Sequence, residues 1–183
     1  MTTPGPAHVG AERPTSGPTE THGEVPVQGG VTLSPDDAAT ARQQRVAVYG
    51  ICEDGGGKVL LVRAAPHLTV AGQWFLPGGG LDHGEDPTAG LRREFGEETG
   101  LEIELGPLLG LLSDVFTLPS GTSLHTIRII YSVTGYSGVL RDEVGGSSDT
   151  ARWVALDRAG ELPLRPYVRR ALTELRRGRA GRE

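Results

Sequence analysis

The sequence predicts an α/β (α+β) fold, a mixed β-sheet covered by helices. Three observations carry that reading. Short apolar, β-branched runs and helical segments follow one another in the order β-β-β-α-β-β-β-α. One segment, residues 87–99, is bounded at both ends by helix signals, Asp86-Pro87 before it and Gly100 after it. A second helical segment, residues 165–177, places Val168, Ala171, Leu172 and Leu175 on one face.

The elements follow in chain order. Residues 1–40 are rich in Pro, Gly, Thr and Ser and hold no apolar run at either period, so they are expected to be disordered. "SPDDAATARQQ" (34–44) opens with Ser-Pro-Asp and reads as a short lead-in helix. "RVAVYGI" (45–51) and "KVLLVRA" (58–64) read as two strands of a hairpin, joined by the turn "CEDGGG" (52–57). After a loop at 65–73, "WFLPGGG" (74–80) is a short strand entering a glycine turn. In the helix at 87–99, Asp86 is the cap, Pro87 suits the first position, and Leu91 and Phe95 form the buried stripe. Residues 101–116 read as strands broken at Gly106-Pro107, and 125–136 as a strand. A polar loop at 138–150 precedes a last strand at 151–157. The domain is thus expected over residues 41–177, with a basic tail at 178–183.

Composition narrows the function classes. The net charge is −5 over 183 residues. Residues 1–40 hold Glu12, Glu20, Glu24, Asp36 and Asp37 against Arg13, so most of the negative charge lies outside the expected domain. Seven arginines fall between Arg165 and Arg182 without interleaved stacking aromatics, which gives no basis for specific nucleic-acid binding. No stretch has the ~20 apolar residues that span a bilayer, and the N-terminus lacks a secretory pattern. Cys52 is the lone cysteine and sits in an apolar run, so an intrachain disulfide is excluded and a cytoplasmic setting is expected.

The chemistry concentrates in "GEDPTAGLRREFGEETGL" (84–101). On a helix, Glu94, Glu97 and Glu98 share one face, where like charges repel. Two of them also lie in the last turn, where the helix dipole favours cations. A hard divalent cation among the three carboxylates removes both penalties, and such ions bridge to phosphates.

Residues 79–101 match the Nudix box, Gly-x5-Glu-x7-Arg-Glu-apolar-x-Glu-Glu-x-Gly-apolar, at Gly79, Glu85, Arg93, Glu94, Phe95, Glu97, Glu98, Gly100 and Leu101. At ordinary residue usage a chance match is on the order of one in ten million. The chain therefore resembles the Nudix hydrolases over roughly residues 44–177. The resemblance implies an α/β/α sandwich and Mg²⁺-dependent hydrolysis of a nucleoside diphosphate linked to another group, with Mn²⁺ as a substitute ion. A nucleoside triphosphate, oxidised or not, and ADP-ribose are equally compatible substrates, and similar enzymes are often homodimers.

In that frame Glu97 and Glu98 are expected as metal ligands, and Glu94 as a third ligand or as the base that prepares the water. Gly79 is implied as a main-chain metal ligand, Glu85 as an outer support, and Arg93 as a residue that orients a glutamate through a forked ion pair or touches substrate. Gly80 and Phe75 are candidate substrate contacts, Phe75 by stacking, although core packing is the alternative for Trp74, Phe75 and Phe116. Glu143, then Asp142, in the polar loop are candidate bases outside the box. The competing function is a non-catalytic, nucleotide-binding regulatory module that keeps the fold without turnover.

Overall fold

The computed structural model describes residues 41–180, with side chains to Glu174. The N-terminal segment, expected to be disordered, and residues 181–183 of the expected basic tail lie outside the described residues, whereas residues 178–180 of that tail are helical. The side chain of Leu175 also lies outside them. Seven strands and two helices follow in order: β1 (Arg42–Cys52), β2 (Lys58–Ala64), β3 (Trp74–Phe75), β4 (Gly78–Gly80), α1 (Pro87–Thr99), β5 (Leu101–Thr117), β6 (Ser123–Gly138), β7 (Ser148–Ala155) and α2 (Pro166–Ala180). A 3₁₀ turn, Ala159–Glu161, precedes α2. Among the described residues, no helix is long and apolar enough to cross a membrane.

The strands form two sheets. One is mixed, in the order β4-β1-β6-β5, with β1 and β6 parallel and the outer pairs antiparallel. The other is antiparallel, in the order β3-β2-β7. Alternation along β1 decides which helix covers which face. Ala47, Tyr49 and Ile51 pack with Tyr167, Val168, Ala171 and Leu172 of α2. Val48 and Cys52 pack with Leu91 and Phe95 of α1. Val59 and Leu61 of β2 join the α2 side, and Leu60 joins the α1 side. The result is helix, sheets, helix. Leu91 and Phe95 are fully buried, worth roughly 1.5–3 kcal/mol each.

Four local expectations are corrected. β1 and β2 do not form a hairpin: one bridge, Glu53 to Val59, closes the turn, and the strands then enter different sheets. The long partner of β1 is β6, so a distant pairing overrides the local one. For the same reason residues 42–44 are strand rather than helix, since Arg42, Gln43 and Gln44 pair with Ser123, Leu124 and His125. Gly78–Gly80 is a strand rather than a turn, paired to Tyr49, Val48 and Ala47. Gly106-Pro107 does not break β5. Leu105 faces Val133 and Leu108 faces Tyr131, so the two residues bulge at a sheet edge, where a proline without an N–H is tolerated.

Candidate active site

Helix α1 presents the carboxylates. Asp86 accepts bonds from the Thr88 and Ala89 N–H groups at 2.9 and 3.1 Å, which fixes the first turn. Gly100 ends the helix in the left-handed region, φ 73°, donating to the Gly96 carbonyl. With Leu91 and Phe95 locked in the core, Glu94 and Glu98 are turned toward β4.

Arg93 organises one part of the site. Its Nε and Nη2 donate to the two oxygens of Glu85 at 2.8 and 2.9 Å, a bidentate fork. Its Nη1 donates to Glu94 at 3.0 Å and to Glu97 at 3.2 Å. Nη2 also reaches the Gly80 carbonyl at 3.4 Å. Glu85 in turn accepts from the Asp82 N–H at 3.0 Å, which ties down the segment between β4 and α1. The Arg93 hydrogen bonds hold the Glu85 carboxyl down at about 2. Arg93 thus gathers Glu85, Glu94 and Glu97, and α1 tolerates its acidic face.

Glu98 is placed differently. It is 1% exposed, and accepts from the Gly78 N–H at 2.8 Å and the Ser147 hydroxyl at 3.2 Å. No cation pairs with it among the described residues. Burial pushes its carboxyl well above the usual range, and Glu94 and Glu143 add to the shift. Glu94 is also raised, first by burial, against the pull of Arg93. The β4 glycines permit this crowding. A Cβ on Gly79 would lie 2.5 Å from the Glu94 carboxylate, and one on Gly78, at φ +131°, would strike the Val48 carbonyl at 2.2 Å.

The other expected residues fall around this centre. Glu143 accepts from the N–H and hydroxyl of Ser148 at 2.8 and 3.0 Å, close enough to Glu98 to raise its carboxyl. Asp142 accepts from the Ala151 N–H at 2.8 Å and pins the start of β7. Phe75 and Phe116 line a cleft that opens beside Gly78 and Gly79, whereas Trp74 is buried in the α2 core. His125 bonds Ser113 and Gln44, on the strand face opposite its cleft-lining neighbour Thr126.

Among the described residues, no three carboxylate, imidazole or thiol groups converge as a ready-made metal cage. The donor set nevertheless fits a hard divalent cation. Glu98 is a buried carboxylate without a counter-charge, Glu94 lies against Gly79, and Glu97 is half exposed beside Arg93. Sequence reasoning missed Arg45, whose guanidinium lies against Gly80 and lines the cleft, and Ser147. It also missed Arg128. A lone arginine at an inward position of an alternating apolar strand, in phase with Thr126 and Ile130, was a legible signal.

Comparison with known proteins gives the family and the fold. A family model described as the NUDIX domain matches residues 42–175. A MutT-like protein of Streptomyces ambofaciens is 28% identical over 141 residues, 77% of this chain and 83% of that one. The nucleoside triphosphatase NudI of Enterobacter sp. (strain 638) is 38% identical over 63 residues, 34% of this chain and 45% of that one, so the chain spans under half of that relative. Among solved structures, the MutT NUDIX hydrolase of Burkholderia pseudomallei superposes with a TM-score of 0.63 at 29% identity, covering 72% of this chain and 98% of that one.

Proposed function

Since the chain belongs to the Nudix hydrolase family, we propose that it is a Mg²⁺-dependent pyrophosphohydrolase that cleaves the diphosphate linkage of a nucleoside triphosphate. The observation that carries this is Glu98. A carboxylate buried without a cation, near Glu94 and bonded to Gly78 and Ser147 in the wall of an aromatic-lined cleft, is a costly arrangement unless an ion completes it. The Enterobacter relative's designation as a nucleoside triphosphatase favours a triphosphate over ADP-ribose.

Glu94, Glu97, Glu98 and the Gly79 main chain would hold the ion, with Mn²⁺ able to replace Mg²⁺. Once bound, the ion supplies charge neutralisation on the diphosphate and a more acidic water. The chain's own residues do the rest. Arg93 fixes Glu94 and Glu97 at one end of its guanidinium and Glu85 at the other. Arg45, in the cleft wall, meets the phosphates. Glu143, held by Ser148 and near Glu98, takes the proton from the attacking water. Phe75 stacks on the heterocycle.

The test is hydrolysis of nucleoside triphosphates, 8-oxo-dGTP and ADP-ribose with Mg²⁺ or EDTA, wild type beside Glu98→Gln. Cleavage lost in EDTA and in the variant supports the reading. Metal-dependent nucleotide binding with no turnover would establish the regulatory module in its place.

A further inference from the structure

We propose that the protein forms a twofold dimer by pairing β5 antiparallel with β5 of a second copy, centred on Ser113. The inference is independent of the reading of the active site. β5 is the outer strand of the mixed sheet, so one row of its backbone N–H and C=O groups has no strand beside it.

Four of the eight large apolar side chains exposed among the described residues lie on this strand: Leu108, Leu109, Leu111 and Val115. Leu111 and Val115 are each 63% exposed. They share a face with Ile129, the pairing partner of Leu111, which packs against the α1 core. Ile127 of β6, half-buried, and Val46 of β1, 43% exposed, continue that face inward. The α1 side of the sheet thus ends in an apolar margin that α1 leaves uncovered.

Edge strands are commonly blunted by lysine, proline, a bulge or an inward charge. Here the bulge and Pro107 come before Gly110. From Gly110 to Thr117 the register with β6 runs unbroken, and the sequence GLLSDVFT holds neither lysine nor proline. Its one charge, Asp114, points to the other face and is paired with Arg128.

The occupant that fits this edge is the same edge. Two identical strands pair antiparallel with like faces together only when one residue lies opposite its own copy. With Ser113 as that residue, Leu111 of each copy lies opposite Val115 of the other, two apolar cross-strand pairs. Asp114 then lies opposite Leu112. Centring on Asp114 would set two carboxylates against each other, and centring on Leu111 would bring Val115 opposite Pro107. The nine residues 109–117 are fewer than a standard interface contributes, so the dimer is expected to dissociate in the micromolar range.

Sedimentation equilibrium of the full chain from about 5 to about 300 µM tests this. The mass is expected to rise from the 19.3 kDa of one chain to twice that. Leu111→Lys puts a charge opposite Val115 at both ends and should raise the dimer Kd about tenfold or more, with Tm unchanged. Adding Val115→Glu sets each lysine opposite a glutamate of the second copy and should restore the dimer. Ser113→Cys should cross-link as a disulfide under mild oxidation, since Cys52 is buried and the new thiols face each other. A wild type that stays monomeric overturns the proposal, and a Leu111→Lys variant of lowered Tm would then show that this chain covers its own strand. Dimers that persist undiminished in Leu111→Lys overturn the interface. A double variant that stays monomeric, or a Ser113→Cys chain that does not cross-link, overturns the register.

Discussion

Glu98→Gln is expected to make the metal-free protein more stable while abolishing its response to Mg²⁺. In the wild type the carboxylate is 1% exposed, held by one N–H at 2.8 Å and one hydroxyl at 3.2 Å, with Glu94 and Glu143 adding negative charge. Glutamine has the same shape and still accepts from Gly78. It loses charge assistance in that bond, about 1 kcal/mol. It removes a buried charge whose effective penalty is several kcal/mol. The net gain is about 1–3 kcal/mol, or roughly 3–10 °C in Tm for a domain of this size. The sign with pH follows from the raised carboxyl. Wild-type stability falls as pH rises from the usual glutamate range toward the shifted value, so the advantage of glutamine grows over that range and vanishes below it. Mg²⁺ at a hundredfold excess over its Kd should return about 2.7 kcal/mol to the wild type and little to the variant. Thermal melts at pH 7.5 in EDTA and in MgCl₂ read both effects. A variant that melts below wild type in EDTA, or that gains as much from Mg²⁺, would refute the reasoning.

Four further outcomes test the site. Gly79→Ala puts a methyl 2.5 Å from the Glu94 carboxylate, and displacing that group should lower kcat about 100-fold with Tm little changed, read by steady-state kinetics and melting. Glu143→Gln should cut kcat at least about tenfold, and a near-normal rate would remove Glu143 from the mechanism. Arg45→Ala should raise KM about tenfold at unchanged kcat, because it removes a phosphate contact that the ground state already uses. Acid should weaken the Arg93–Glu85 anchor: Glu85, lowered from 4.5 to about 2, contributes stability above pH 4.5 that is lost as pH falls toward 2, and Glu85→Gln should flatten that part of the Tm–pH curve.

Local signals were legible and distant ones were not. Helix α1 has the predicted limits, Pro87 to Thr99, because its caps act within a few residues through Asp86 and Gly100. The expected hairpin failed because nothing near residues 52–57 reveals that β6 is the long partner of β1. The box identified Glu94, Glu97 and Glu98 together but could not separate them. Glu98 is buried because the Gly78 N–H of β4 lies against it, and Glu97, its neighbour, faces Arg93 and is half exposed. That difference comes from the placement of a second element, not from residue type. The β4 glycines read as a turn because glycine favours turns, while here they serve close approach.

The parallel pairing of β1 with β6 also has a consequence in time. Each β1 residue meets a partner such as the Gln44–His125 pair, 81 residues further along the chain. At translation rates of about 5–20 residues per second, the first strand to leave the ribosome waits roughly 4–16 s for the one that completes its sheet. Until then the backbone edge of β1 that β6 covers lacks its partner, along a strand whose Val48, Ile51 and Cys52 are buried in the finished fold. An unpaired edge of that kind is a template for another nascent copy before its own partner arrives.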